Sequence, residues 1–215
     1  MDRELLKKSA LNFDLALTES QLDSFALLFD ELVRWNKKIN LTALKKSTDI
    51  TVKHFIDSIS IAPLLNQCAR ILDVGSGGGF PSLPLAIARP DLQITSIDAV
   101  NKKILFQKHV IRLLKISSVE ALHCRAEDLA LNRTALYDVV TSRAFSRLMF
   151  FVALAKPFLS EKGQVISMRG SEGEQEALDA ISDLTSAGFR IEQTVHHDLS
   201  HKMGRRCLVV VGKVA

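Results

Sequence analysis

The sequence predicts an α/β protein: a doubly wound, Rossmann-like sheet with one antiparallel strand, preceded by a helical N-terminal extension. Three observations predict it. From Ala69 onward, short apolar strands alternate with helical segments, the pattern of a parallel sheet with right-handed crossovers. A glycine-rich loop follows the first of those strands and opens a helix. The last two strands have no helix between them, which implies a hairpin and one reversed strand.

Residues 1–68 read as the helical extension and residues 69–215 as the sheet domain. Thr18 with Gln21 makes a capping box, after which Leu22, Phe25, Phe29 and Leu32 recur at helical spacing, widened by Leu28 and Val33. A second helix is expected over 50–65, with Val52, Phe55, Ile56 and Ile59 on one side and Pro63 disturbing its end. Core packing is the ordinary use of such stripes. The segment between the two helices, Arg34-Trp35-Asn36-Lys37-Lys38-Ile39-Asn40-Leu41-Thr42, is harder to read as core. In the sheet domain, strands are expected over 70–74, 92–97, 119–123, 138–141, 164–168, 191–195 and 207–211. Helices are expected over 81–89, 102–115, 148–159 and 174–187, the last ending before Gly188, where a left-handed residue closes a helix.

Composition narrows the class. With 47% hydrophobic and 24% charged residues, the chain can bury a full core and is not of disordered composition. Its longest apolar runs are broken by charge, as by Lys156 within 148–159, so no membrane span is expected. The first eight residues are charged and no apolar signal core follows them. Cys68, Cys124 and Cys207 are widely spaced and odd in number, which reads as reduced thiols; the expected location is the cytoplasm. A net charge of +4 permits a nucleic-acid partner without requiring one.

The loop is Asp73-Val74-Gly75-Ser76-Gly77-Gly78-Gly79-Phe80-Pro81. Glycines remove Cβ atoms where a ligand approaches the main chain. The second strand ends near Asp98, 23 positions after Gly75, where a carboxylate can accept from both hydroxyls of a ribose. Strand, glycine loop, helix, strand and acid together point to an adenosine ligand. A dinucleotide fingerprint wants a glycine where Phe80 stands, and Pro81 removes an N–H that a pyrophosphate would use. The G-x-G-x-G spacing of Gly75, Gly77 and Gly79 is that of class I methyltransferases, which makes S-adenosyl-L-methionine the expected cofactor and NAD the alternative.

Beyond the loop, Trp35-Asn36-Lys37-Lys38-Ile39-Asn40-Leu41-Thr42, His54-Phe55-Ile56-Asp57-Ser58 and Ser142-Arg143-Ala144-Phe145 follow the signature order of a known family. From about residue 17 to residue 211 the chain resembles RsmG, also called glucose-inhibited division protein B, whose members methylate guanine N7 in 16S ribosomal RNA. The resemblance implies that Gly75, Ser76, Gly77, Gly79 and Phe80 wrap the methionine part of the cofactor. It also implies that Asp98 holds the ribose, that Ala126 and Glu127 lie against the adenine, and that Arg143, expected both to bind the cofactor and to act in catalysis, reaches the cofactor site from the end of the fourth strand. Ser76 and Ser82 depart from the family's usual Thr and Gly, and 99–103 lacks its usual lysine-arginine pair.

The reaction is read partly from missing motifs. No Asn/Asp-Pro-Pro-aromatic segment follows the fourth strand, so an exocyclic amine is not the expected target. No cysteine lies there to activate a pyrimidine carbon. Guanine N7 needs neither, since it carries an in-plane lone pair and no proton. His196, His197 and His201 lack a partner at metal-ligand spacing and read as a surface loop; no metal is expected. Lys37, Lys38, Lys45, Lys46, Arg205 and Arg206 read either as solvated faces or as a phosphate track for 16S rRNA or the small ribosomal subunit. Trp35 stacks on a base or packs under the helical cap. The rival readings are a same-fold methyltransferase of a small molecule or protein, and a non-catalytic protein that binds RNA or a nucleotide.

Overall fold

The computed structural model describes residues 1–143 and 147–214; Ala144 and Phe145 of the expected S-R-A-F signature lie outside the described residues. At the N-terminus, α1 (Arg3–Ala10) is followed by the 21-residue α2 (Glu19–Ile39). The Thr18 side chain accepts from the Gln21 N–H while the Gln21 side chain accepts from the Thr18 N–H, so the capping box forms as its spacing predicts. Gln21 also donates from Nε2 to the carbonyls of Ile87 and Ala88 at 2.9 and 3.1 Å, which ties the start of α2 to the sheet domain. Phe25, Leu28 and Leu32 are fully buried, each worth about 1.5–3 kcal/mol of transfer from water.

The single helix expected over 50–65 is instead four short pieces. They are α3 (Ser47–Ile50), a π-helical turn (Thr51–Ile56), α4 (Asp57–Ile59) and a 3-10 turn (Ala62–Leu64). Val52, Phe55, Ile56 and Ile59 are buried as expected, but so are Thr51, His54, Asp57 and Ser58. The segment is therefore enclosed on all sides. The wider turn carries polar groups inward as well as apolar ones, a placement typical of π turns near functional sites.

Seven strands form one sheet in the order β3-β2-β1-β4-β5-β7-β6. Their ranges are β1 (Arg70–Val74), β2 (Gln93–Asp98), β3 (Val119–His123), β4 (Tyr137–Arg143), β5 (Leu159–Arg169), β6 (Phe189–Asp198) and β7 (Arg205–Lys213). All pairings from β3 to β5 are parallel, and β7 alone runs against its neighbours β5 and β6. The topological switch lies between β1 and β4, where ligands bind outside the strands' carboxyl ends. Connecting helices are α5 (Ser82–Ala88), α6 (Asn101–Leu113), α7 (Ala126–Ala130), α8 (Leu148–Ala155), α9 (Gly173–Asp179) and α10 (Ile181–Ser186).

Boundaries move where local chemistry intervenes. The helix expected to reach residue 159 stops at Ala155, because Pro157 supplies no N–H and a 3-10 turn (Lys156–Phe158) leads straight into β5. The helix expected over 174–187 breaks at Ala180 into α9 and α10. His196 and His197 lie on β6, opposite Cys207 and Arg206, and not in a surface loop as the sequence suggested; the long β6–β7 ladder extends past them. On one sheet face, the core joins Leu6, Phe25, Leu32 and Phe55 to Ile71, Leu83 and Ile94, so the N-terminal helices share their core with the sheet. A second core, around Phe151, Phe158 and Phe189, covers the other face. Among the described residues no helix is long and apolar enough to cross a membrane.

Candidate active site

The glycine loop is set by the strand before it. Val74 leaves β1 beside Ile97, whose carbonyl accepts from the N–H groups of Gly75 and Ser76 at 2.9 and 3.0 Å. Gly75, Gly77 and Gly79 then take φ of 71°, 60° and 85°, the left-handed region that side chains resist. A Cβ on Gly79 would stand 2.6 Å from Leu83 Cδ1, and Leu83 is fully buried, so this glycine is required by packing as well as by φ. From beneath, buried Gln107 donates to Ser76 Oγ and to the Gly77 carbonyl, each at 2.8 Å, and accepts from Ser96 Oγ at 2.7 Å. Nothing in the sequence pattern singles out Gln107; its position on α6 looks like any other helix residue.

Asp98, 6% exposed, closes the loop from the end of β2. Its Oδ2 accepts from the Gly77 N–H at 2.9 Å and its Oδ1 from the Val100 N–H at 2.8 Å, with Lys103 Nζ 3.6 Å from Oδ2. Each carboxylate oxygen keeps a further lone pair for a ligand hydroxyl. Gly75, Asp98, Ala126 and Glu127 line one cleft of about 200 Å³, together with Ala99, Arg125 and Leu154. These are four of the expected cofactor residues, drawn from three separate strand ends. Ser76, Gly77 and Gly79 follow Gly75 in the loop but do not line this cleft.

Asp73, at the end of β1, is buried, and burial pushes its carboxyl up to about 7 against the opposing bonds from Ser82. Ser82 Oγ donates to Oδ2 at 2.6 Å, while Oδ1 has no hydrogen-bond partner among the described residues. Ser82, where the resembled family usually has Gly, thus supports Asp73 in this chain.

Arg143 and Phe80 lie on the other side of the loop. Arg143 lines a cavity of about 590 Å³ with Lys53, His54, Asp57, Met168, Glu176 and Arg206 among its other walls. Its Nη1 donates to the Lys53 carbonyl at 2.7 Å, its Nη2 meets His54 Nδ1 at 2.9 Å, and Asp57 Oδ2 lies 3.6 Å from Nη1. Phe80 lies below: its ring stacks on His54 at 4.3 Å and sits 5.4 Å from the guanidinium carbon of Arg143. Asp57 Oδ1 accepts from Arg206 Nε at 3.0 Å, so one carboxylate sits between two guanidinium groups. Arg205 is exposed and takes no part in this cavity. Strand register sets Thr141 opposite Asp73, which brings Arg143 level with Gly75; the two cavities therefore adjoin across the switch between β1 and β4.

The N-terminal lysines divide. Lys37 and Lys45 line a third, larger cleft of about 940 Å³ with Lys103, whereas Lys38 and Lys46 are exposed outside it. No acidic side chain lines that cleft among the described residues. Trp35 packs against Phe106 and His109 of α6, with ring centroids 5.7 and 5.3 Å away, so it packs under the helical cap instead of standing free to stack. Among the described residues no group of three or more His, Cys, Asp or Glu is arranged to hold a metal.

The site fits the cofactor expected from the sequence. An acidic strand end faces the cleft, exposed Gly75 presents bare main chain there, and Asp73 Oδ1 is an unused buried acceptor suited to a cationic ligand. Solved structures of the same fold include an S-adenosylmethionine-dependent methyltransferase from Aquifex aeolicus, with a TM-score of 0.58 and 15% identity over 82% of this chain and 97% of that one. TYW2 from M. jannaschii, solved with AdoMet, gives 0.60 and 16% over 82% and 78%. The strand order and the position of the glycine loop place the chain in the same Rossmann-like fold as these methyltransferases.

Sequence similarity narrows this further. The family model GidB, rRNA small subunit methyltransferase G, matches residues 21–204, and the chain belongs to that family. Relatives include the ribosomal RNA small subunit methyltransferase G of Geotalea uraniireducens, 43% identical over 99% of this chain and 97% of that protein. The namesake from Streptococcus uberis is 37% identical over 99% and 92%.

Proposed function

We propose that this protein transfers a methyl group from S-adenosylmethionine to N7 of a guanine in the 16S rRNA of the small ribosomal subunit. The observation that carries the reading is the pair of adjoining cavities across the β1–β4 switch in a chain of this family. Asp98 holds the ribose, Ala126 and Glu127 flank the adenine, and Gly75, Ser76, Gly77 and Gly79 admit the methionine part along the loop. When bound, the cofactor supplies an electrophilic methyl group on a sulfonium.

The cavity around Arg143 and Arg206 receives the target base. Arg143 is the residue we assign to catalysis, as the guanidinium that orients the base toward the loop. Phe80, beneath Arg143 and His54, closes the floor against water. N7 brings its own lone pair, so the side chains need to position it, not deprotonate it. His54 fits this absence of a base: burial, then the charge of Arg143, hold its imidazole at about 3, so it remains neutral. Lys37 and Lys45, with Lys103, are the phosphate contacts of the RNA, and Lys38, Lys46 and Arg205, exposed outside that cleft, add positive surface.

The test is incubation of the protein with small subunits from a strain lacking it, using labelled cofactor, followed by mass analysis of the rRNA nucleosides. We expect 7-methylguanosine at a single site. A methyl on a ribose oxygen or an exocyclic amine would overturn the reading, and no incorporation into rRNA would return the rival substrates.

A further inference from the structure

Four sequence segments converge on Arg143, and the chemistry of the contacts fixes the direction of each hydrogen bond. A guanidinium only donates, so the 2.9 Å contact from Arg143 Nη2 makes His54 Nδ1 an acceptor. A neutral imidazole with a bare Nδ1 carries its proton on Nε2. That Nε2–H points at Thr42 Oγ1, 2.7 Å away. Thr42 is itself fixed: its N–H donates to Asn36 Oδ1 at 2.8 Å, and its carbonyl accepts from Asn36 Nδ2 at 2.9 Å. Asn36 and Thr42 belong to the same stretch of chain as Lys37 and Lys45, and both line the lysine cleft.

The result is one chain of bonds, Asn36–Thr42–His54–Arg143, steadied from the far side by Asp57 and Arg206. His54 is buried, with 8% exposure, and both of its ring nitrogens are used. Its face also stacks on Phe80 at 4.3 Å, so a plain packing role is the competing explanation. The two explanations assign importance to different parts of the same ring.

We propose that His54 is a positioning residue for the methyl-transfer reaction, acting through its Nδ1 acceptor to hold Arg143 in the base cavity and to tie it to the lysine-bearing segment. This rests on the role of Arg143 given above. Contact between that segment and RNA and the placement of Arg143 then depend on one another through the imidazole.

His54→Phe keeps the ring and its stack on Phe80 but removes both nitrogens, whereas His54→Asn gives up the stack and keeps an acceptor near the Nδ1 position. A catalytic group displaced by about an ångström slows on the order of 100-fold, so H54F should lower single-turnover methyl incorporation into small subunits by about 10- to 100-fold. H54N should fall much less, S-adenosylhomocysteine affinity by calorimetry should hold in both, and H54F should cost nothing more in an Arg143→Ala background. Equal falls in the two variants, or a wild-type rate in H54F, would assign the ring to packing and overturn the proposal. If H54F fails to fold by circular dichroism, Thr42→Val removes the Nε2–H acceptor without touching the ring. A wild-type rate in T42V would overturn the proposal as well. Failure of the wild-type protein to methylate subunits at all is a different result, and it would count against the proposed function instead.

Discussion

The two cavities on either side of the β1–β4 switch are built by different means. The cleft of Gly75 and Asp98 is made at the ends of the first three strands, which lie side by side in the sheet, beside a loop with three left-handed glycines. The cavity of Arg143 is made of side chains from four distant segments, joined by bonds that span 89 residues between His54 and Arg143 and 149 between Asp57 and Arg206. Neighbouring strand ends of the parallel sheet therefore specify the first site, whereas the second exists only when the N-terminal helices and the closing hairpin have docked on the sheet. Damage to each should have a different signature.

The largest effect is expected in the glycine loop beside the first cleft. Gly79→Ala combines a φ of 85° with a Cβ 2.6 Å from a buried leucine carbon. Strain and overpacking of about 2–4 kcal/mol should fall on the loop itself, lowering S-adenosylhomocysteine affinity by on the order of 100-fold by calorimetry. Asp98→Ala comes next. Removing charge-assisted bonds of about 1.5–3 kcal/mol should weaken the same ligand by at least about tenfold, and unchanged affinity would place the ribose elsewhere.

Asp73 should show itself through pH. Its folded-state pKa is raised, from 3.8 to about 7, so its share of stability is complete below the unfolded value and is lost as pH rises through the folded one. Between those values the unfolding free energy should decline by at most about 1.4 kcal/mol per pH unit, a slope that Asp73→Asn should remove in urea titrations. His54, held at about 3, adds no ionisation near neutrality, so the methyl-transfer step should stay nearly flat there.

The smallest effect is expected at the lysines. Removing one phosphate-binding lysine should reduce the salt slope of RNA binding by about one unit. The K37A/K45A pair should flatten that slope more than K38A/K46A, because only the first pair lines the cleft with Lys103. Equal effects of the two pairs would return all four to a general surface attraction.

Legibility in the sequence follows the same division. Alternating strands, the capping box at Thr18, the glycine loop, Asp98 and the reversed last strand are readable because each is a local pattern. The π turn at Thr51–Ile56 is not, since its polar and apolar residues are buried alike and leave no periodic stripe. His54 and Asp57 stand inside a family motif that gives them no role, and Gln107 carries no signal at all. Their function depends on partners that no spacing rule connects. The family resemblance implies Phe80 among the cofactor residues, yet its ring turns toward His54 and Arg143.

Arg143→Ala tests the separation of the two cavities most directly, with methyl-transfer rate and cofactor affinity measured on the same protein. Single-turnover incorporation into small subunits should fall by on the order of 100-fold, while calorimetry gives a near-wild-type S-adenosylhomocysteine affinity. Affinity falling in step with the rate would contradict the account by placing Arg143 in the cofactor cleft, and an unchanged rate would remove it from the reaction altogether.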